Sequence, residues 1–370
     1  MQVKLFICCC ISANIRYFCR MTAEHYMQRC FALALKGMGA VSPNPMVGCV
    51  IVREEQIIGE GYHQQFGQAH AEVNAIRDVF EKHGDKASDL LKEATVYVNL
   101  EPCAHFGKTP PCADLLVRHQ VRQVIISNTD PFPAVSGKGI TRLKEAGITV
   151  QTGLLEREGA FLNRRFFTRI RKQRPYLILK WAQTANGYFA PVPVAQRWIS
   201  GSQAKVLTHQ WRAEEDAVLV GKNTALTDNP QLTNRLSSGK NPVRVLIDKK
   251  LEVPLSHHLF NAEAKTLVFN AYKTEVNDHV HYIQLEDMTY YLPQKIAFQL
   301  YLMDMQSVII EGGKNILDQF ITADLWDEAR IFTSAGNWDN GIPAPVVSGH
   351  IYEETLVGDD KLTLLLNAEP

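Results

Sequence analysis

The sequence has no surplus of charge of either sign, since 39 Lys and Arg stand against 39 Asp and Glu. A neutral chain makes no field for gathering nucleic acid or anionic lipid, so an anionic ligand must be met by local positive charge. There is also no uninterrupted apolar run of the roughly 18 residues that a membrane-spanning helix needs. Internal repeats and low-complexity tracts are missing. With 46% hydrophobic and 21% charged residues, the composition is not one that keeps a chain unfolded. The 370 residues exceed one ordinary core and predict two or three domains.

Cysteine is scarcer than its total of eight suggests, because Cys8, Cys9, Cys10 and Cys19 fall in the opening segment MQVKLFICCCISANIRYFCR. That segment has one lysine before a short apolar run, yet no small-residue cleavage site follows. Met21 then opens an amphipathic stretch suited to be an N-terminus. The expectation is an upstream start codon, a doubtful extension over residues 1–20 and a functional, cytoplasmic chain from Met21; a targeting segment or an ordered extra element are the alternatives. Of the remaining four, Cys30 and Cys49 lie in apolar periodic surroundings and read as buried thiols. Cys103 and Cys112 flank a Pro- and Gly-containing loop beside histidines, which in a reducing compartment favours a metal over a disulfide.

From Met21 helices and strands alternate. MTAEHYMQRCFALALKG reads as a helix, MVGCVIVR and QIIGEGY as paired strands, AEVNAIRDVFEKHG as a helix and ATVYVNL as a strand. After the cysteine loop, ADLLVRHQ, VRQVIISN, TRLKEAG and ITVQTG continue the pattern, which predicts a sheet covered by helices on both faces. The basic stretch RRFFTRIRKQRP then interrupts it and reads as a solvated helix and linker, dividing the chain into domains 21–166 and 167–370. A second alternation from PYLILKWAQ to EARIFTSAG predicts another α/β unit.

His70-Ala71-Glu72 opens a helix, and Pro102-Cys103 follows a strand, with Cys112 nine positions on. One imidazole and two thiolates leave tetrahedral Zn²⁺ an open position, as a catalytic site requires; a closed structural site is the alternative. A water at that position loses a proton near neutral pH, and Glu72 is placed to carry protons to a leaving amine, unless it only favours the helix N-terminus. The pattern matches the H-x-E and P-C-x-x-C signature of zinc deaminases, except that eight residues separate the cysteines here.

HAEVNA followed by EPCAHFGKTPPC resembles the bifunctional deaminase/reductase family of riboflavin biosynthesis, and SPNPMVGCVIV, GEGYHQQFGQAHAE and NTDPFP extend the likeness over nearly all of residues 21–150. The resemblance implies a cytidine-deaminase-like three-layer α/β/α domain, with Asn44, His63, Lys108 and Thr109 on the pyrimidine substrate. Each has an ordinary alternative as a turn, surface or loop residue. Gly107-Lys108-Thr109 is no P-loop, since the GxxxxGK spacing is absent.

After residue 165 there is no GxGxxG, so a Rossmann dinucleotide site is unsupported. SVIIEGGKNILDQF is a strand, two glycines and a helix, which fits either a nucleotide cradle or an ordinary turn. WRAEEDAVLVG and DAVLVGKNTALTDNPQLTNR resemble the reductase domain of the same family, implying a dihydrofolate-reductase-like α/β fold that uses NADPH. Carried over, the cofactor would touch Ala182, Trp198, Thr224, Asp228 and the turn Gly313, Lys314, Asn315, Ile316, Leu317, Asp318 and Gln319. The substrate would meet Gln196, Arg212, Leu232, Arg235 and Glu311, where the two arginines suit phosphate or else form surface ion pairs. The chain departs from the family at Thr184-Ala185-Asn186-Gly187, where S-L-D-G is common, and at Gln196, where serine is.

The expected function is therefore zinc-dependent deamination of a phosphoribosylamino-pyrimidine followed by NADPH-dependent reduction of its ribose, with no nucleic-acid or membrane partner and a homo-oligomer allowed. One rival is a nucleoside or tRNA deaminase with an unrelated appendage, which zero net charge and the second resemblance oppose. The other is a non-enzymatic zinc-stabilised nucleotide-binding module, which Glu72 opposes. Deleting residues 1–20 should leave both activities and the melting temperature unchanged, as activity assays and calorimetry would read; a fall of several degrees would make the segment an ordered element.

Overall fold

A computed structural model describes residues 21–104, 110–132 and 135–368. The expectations for residues 1–20, Lys108 and Thr109 lie outside the described residues.

The first domain comprises α1 (Ala23–Ala34), β1 (Gly48–Arg53), β2 (Gln56–Tyr62), α2 (Ala71–His83), α3 (Ala87–Lys92), β3 (Thr95–Leu100), α4 (Cys112–Arg118), β4 (Gln123–Asn128), α5 (Lys138–Glu145) and β5 (Thr149–Thr152). The sheet runs β2-β1-β3-β4-β5, with β1 antiparallel to β2 and β3, and β3, β4 and β5 parallel. GCVIVR and TVYVNL are almost continuously buried, as strands with helices on both faces must be. On one face α1 presents Tyr26, Met27, Cys30 and Leu33 to Val50, Val52 and Tyr97. On the other, Ala71, Ala75, Ile76 and Val79 of α2 pack on Cys49, Ile51, Val96 and Val98. Cys30 and Cys49 are free buried thiols, as expected. Helix α2 lies against β2 because Gly59 and Gly61 lack side chains: a Cβ would stand 2.6 Å from the Ala75 carbonyl oxygen at Gly59 and 2.3 Å from the Ala75 nitrogen at Gly61. A Cβ at Gly61 would also stand 2.5 Å from the Ala71 carbonyl oxygen, in the first turn of α2, whose N-cap is His70.

Helices α6 (Glu156–Leu162) and α7 (Arg164–Lys172) follow. The basic stretch is not the solvated linker that its charge suggested. Arg165 is buried, its Nε 2.6 Å from Glu215 Oε2. Arg330 shares Glu215 at 3.0 Å and holds Glu328 at 2.6 Å, and Glu328 also accepts from Arg164 and Tyr176. The neutralising carboxylates come from far along the chain, where a reading of local charge does not look.

The second domain contains β6 (Tyr176–Gln183), β7 (Tyr188–Ala190), α8 (Ser202–Glu214), β8 (Ala217–Gly221), α9 (Lys222–Asp228), β9 (Val243–Ile247), β10 (Thr266–Asn270), β11 (Glu275–Asn277), β12 (Val280–Gln284), α10 (Leu292–Leu302), β13 (Ser307–Ile310), α11 (Lys314–Thr322), β14 (Glu328–Thr333), β15 (Ile342–Pro343), β16 (His350–Val357) and β17 (Asp360–Leu366). Ten of these strands form one sheet in the order β11-β12-β10-β9-β8-β13-β6-β14-β17-β16. Strands β12 to β14 in that order are parallel, and β11, β17 and β16 run antiparallel to their neighbours. Helices α10 and α11 cover one face through Leu292, Ile296, Leu300, Leu317 and Phe320, while α8 and α9 cover the other through Ala204, Trp211 and Ala225. In such a sheet, ligands bind outside the carboxyl ends of the strands.

Burial alone would raise the Glu215 carboxyl, but Arg165 and Arg330 reverse this and hold it to about 2. Glu215→Gln strips a buried charge from two guanidiniums and should cost about 3–5 kcal/mol, read as a lower urea midpoint. Since the folded value lies below the roughly 4.3 of a free glutamate, Glu215's contribution is complete above about pH 5 and is lost as the pH falls towards 2. The stability gap between parent and variant should close over that window.

Candidate active sites

Three elements of the first sheet aim their ends at one point. His70 caps the N-terminus of α2, Cys103 lies in the turn after β3, and Cys112 is the first residue of α4. His70 Nδ1 stands 3.3 Å from Cys112 Sγ and 3.6 Å from Cys103 Sγ, and the three donor atoms lie within 4.8 Å of one another. Metal–ligand distances of about 2.0–2.3 Å make the edge of a tetrahedral zinc site about 3.5 Å, so this donor set fits zinc. Among the described residues, no fourth His, Cys, Asp or Glu joins the cluster. The Cys112 thiol and then His70 hold the Cys103 thiol below its usual range, which readies a thiolate for a cation. Glu72 is 3% exposed, the second residue of α2, and burial followed by the adjacent Cys103 pushes its carboxyl above the usual range. A carboxyl so raised can give back a proton that it has taken.

Asn44 and His63 come together beside this centre. Asn44 Nδ2 donates to His63 Nε2 at 3.1 Å, and His63 Nδ1 donates to the carbonyl of Ala69, also at 3.1 Å, next to His70. The His63 ring stands edge-on to His70 with centroids 5.4 Å apart. Burial lowers the His63 pKa, which keeps the ring neutral.

Three supporting residues escaped the sequence analysis. Buried Asn163 brackets Met46, accepting from its N–H at 2.8 Å and donating to its carbonyl at 2.9 Å, while Asn99 donates to the same carbonyl and accepts from Gly48. Glu101 accepts from the backbone N–H groups of Asp130, Gly137, Gly139 and Ile140 and so ties the segment after β4 to the Pro102-Cys103 turn. A polar residue ending an apolar strand was the available signal for Asn99 and Glu101.

At the carboxyl ends of β6, β8 and β13 the second domain opens into a cavity of about 1090 Å³. It is lined by Gln196, Trp198, Arg212, Thr224, Asp228, Leu232, Arg235, Glu311, Gly313, Lys314, Asn315, Ile316 and Gln319 among the residues singled out from the sequence. Ala182, Leu317 and Asp318 are not on its wall. Ala182, on strand β6, packs against the core on the α8 side; Leu317 turns into the core beneath α11 and Asp318 pairs with Lys314 at 2.6 Å, because a helix presents only part of its circumference to any one side. Arg212 is no surface residue: its Nη2 and Nε hold the Glu311 carboxylate at 2.6 and 3.1 Å. Burial would raise Glu311, yet Arg212 and Lys180 bring it to about 2. Arg235 has no carboxylate partner among the described residues and contacts Gln231 and Thr233. Its backbone N–H donates to His209 Nδ1 at 2.9 Å; burial and Arg212 hold that imidazole to about 4, so it is neutral.

Lys180, not singled out from the sequence, also lines the cavity. Burial lowers its pKa against the pull of Glu311. Its signal was a single cation inside the apolar strand YLILKWAQ. The departure at Asn186 is accommodated: Thr184 Oγ1 donates to its oxygen at 2.8 Å, and its amide donates to the Trp338 carbonyl at 2.7 Å, a bond that a carboxylate does not make.

Residues 175–362 match the family model of the RibD C-terminal domain, and residues 20–128 match that of the cytidine and deoxycytidylate deaminase zinc-binding region. The riboflavin biosynthesis protein RibD of Aquifex aeolicus is 38% identical over 337 residues, which cover 90% of this chain and 92% of that protein. Its namesake from Bacillus amyloliquefaciens is 39% identical over 318 residues, covering 84% and 83%. A diaminohydroxyphosphoribosylaminopyrimidine deaminase/5-amino-6-(5-phosphoribosylamino)uracil reductase from Thermotoga maritima superposes with a TM-score of 0.83 at 36% identity, over 93% of this chain and 98% of that one.

The donor geometry makes a direct forecast. Metal analysis should return about one zinc per chain, and Cys112→Ser should lose most of it while the second domain keeps its fold by circular dichroism and urea unfolding. A parent chain that carries no zinc yet deaminates at full rate would sink the site.

Proposed function

The chain belongs to the RibD family of riboflavin-biosynthesis proteins, and on that premise we propose which of its residues carry the family's two reactions. It is a bifunctional enzyme, with a zinc-dependent deaminase of cytidine-deaminase-like fold first and an NADPH-dependent reductase of dihydrofolate-reductase-like fold second. The pyrimidine loses its ring amino group in the first reaction and has its phosphoribosyl group reduced to ribityl in the second.

The observation that carries the first assignment is the meeting of His70, Cys103 and Cys112 beside buried Glu72. The bound zinc supplies a Lewis acid that makes a water nucleophilic near neutral pH. Glu72 takes the proton of the water that adds to the amine-bearing ring carbon, and returns it to the departing ammonia. Asn44 and His63 orient the ring from the side, with His63 held neutral so that it accepts a hydrogen bond. Lys108 and Thr109 complete this reading by resemblance alone.

NADPH supplies the hydride of the second reaction. We assign its phosphates to the N-terminal amides of α11 after Gly313, and its nicotinamide end to Thr224, Asp228 and the Trp198 face. Arg235, a cavity cation with no carboxylate partner among the described residues, binds the substrate phosphate, and Gln196 and Leu232 border the substrate. Arg212 serves by holding Glu311 ionised, while Lys180 donates to a substrate oxygen from the buried wall. The free cysteines support a reducing, cytoplasmic setting. No helix among the described residues is long and apolar enough to cross a membrane. The exposed Ile351 and Leu356 on outer strand β16 support a homo-oligomer.

Glu72→Gln keeps the volume and removes the proton acceptor. With the pyrimidine phosphate, ammonia release should fall by about 10²–10⁴-fold with zinc retained. NADPH oxidation on supplied deaminated substrate should continue at the parental rate. Undiminished ammonia release would overturn the role of Glu72, and parallel loss of both steps would signal a damaged fold.

A further inference from the structure

The turn that carries Asn44 rests on the second domain. Gln306, the residue before β13, donates from Nε2 to the carbonyls of Pro43 and Asn44 at 2.5 and 3.1 Å. Asp216, the residue before β8, accepts from Ser42 Oγ at 2.6 Å with its Oδ2. The same Oδ2 accepts from the Gln306 backbone N–H at 2.8 Å, and Oδ1 accepts from Lys240 Nζ at 3.1 Å. Neither residue is free to move. The Gln306 carbonyl takes the Tyr176 N–H at 2.8 Å, the Asp216 carbonyl takes the Val243 N–H at 2.9 Å, and the Asp216 N–H is bound by Ser307 Oγ at 3.1 Å. Nearby, the turn preceding Ser42 sits so close to α8 that a Cβ on Gly39 would lie 2.5 Å from the Ala213 carbonyl oxygen.

All three consecutive residues Ser42, Pro43 and Asn44 thus have a polar group held by the amino ends of β8 and β13. Beyond them the contacts continue inward, from the Asn44 amide to His63 and from His63 to the carbonyl beside His70. We propose that Gln306 and Asp216 of the reductase domain are positioning residues for the deaminase, fixing the Asn44 amide at the height where it meets the pyrimidine. This rests on the reading of Asn44 as a substrate contact. A turn bound only within its own domain would keep its backbone carbonyls solvated and mobile, and an error of about 1 Å in a substrate-positioning group costs up to about a hundredfold. The dependence then runs in one direction only: the reductase cavity opens at the far ends of the same strands and does not use the turn.

The test is kinetic and uses the full chain. Gln306→Leu keeps the side-chain size without the donor. It should raise the deaminase KM for the pyrimidine phosphate about tenfold, with kcat within about twofold of the parent, parental zinc content and parental reductase kinetics on supplied deaminated substrate. Asn44→Ala should raise the same KM by at least as much, and in that background Gln306→Leu should add less than about twofold. Ser42→Ala, which removes one hydroxyl and little else, should raise KM about threefold even if Gln306→Leu fails to fold. An effect of Asn44→Ala with none from Gln306→Leu or Ser42→Ala overturns the positioning role and leaves Asn44 as a substrate contact. No effect from Asn44→Ala overturns both. A full Gln306→Leu penalty in the Asn44→Ala background, or an equal loss in the reductase step, also overturns the proposal.

Discussion

The arrangement of the two domains depends on a cluster of charges that has no exit to water. Arg165, Glu215, Arg330 and Glu328 are all buried, and each needs its opposite to offset the loss of hydration. Arg165 belongs to the helix that leaves the first domain, and the other three belong to the second. A slip or rotation at the junction would strand at least one charge, so only one docking is tolerable. That docking brings the 42–44 turn against the amino ends of β8 and β13 and leaves their carboxyl ends open as a cleft. The Phe161 and Tyr352 rings, stacked with centroids 4.9 Å apart, add an apolar contact across the same junction.

The deaminase half was legible from sequence because its chemistry sits where secondary structure ends. A helix opening at His70 and a strand ending before Pro102 are readable from periodicity, and ligands placed at such ends converge in any sheet of parallel β3 and β4 with helices following. What was not legible are groups whose partners are backbone atoms of distant segments. Asn163 clamps Met46 across 117 residues, and Glu101 gathers four amides about 29 to 39 residues away. Neither pairing leaves a mark in local pattern, since amides are identical at every residue. The misjudged basic stretch has the same origin, with a long-range carboxylate on each arginine that mattered.

In the reductase half the resemblance named a ring of residues, most of which face one cavity, but it did not give their states. Arg212 and Arg235 looked equivalent as phosphate ligands. The structure separates them by partner, with Arg212 committed to Glu311 through Nε and Nη2 and Arg235 held only by neutral groups. Lys180 joins the same arrangement as a cation whose burial lowers its pKa while the carboxylate nearby opposes that. Asn186 illustrates a departure whose compensation lies on another segment, the 338 carbonyl, and so was invisible until the two were brought together.

The placement of the two sites has a consequence for how one chain runs two reactions. Strands β8 and β13 are five and four residues long, so at about 3.3 Å per residue their two ends stand about 13–17 Å apart. The deaminase leans on one end, and the reductase cavity is built on the other. No side chain reaches both, so the proton traffic around Glu72 and the ionised Glu311 are set by separate surroundings, one a raised carboxyl and the other a lowered one. What the sites share is the rigid strand between them, hydrogen-bonded to a neighbour on each side. A strand so held transmits position with little loss, which lets the second domain hold the first domain's turn in place while its own cavity opens and fills at the opposite end.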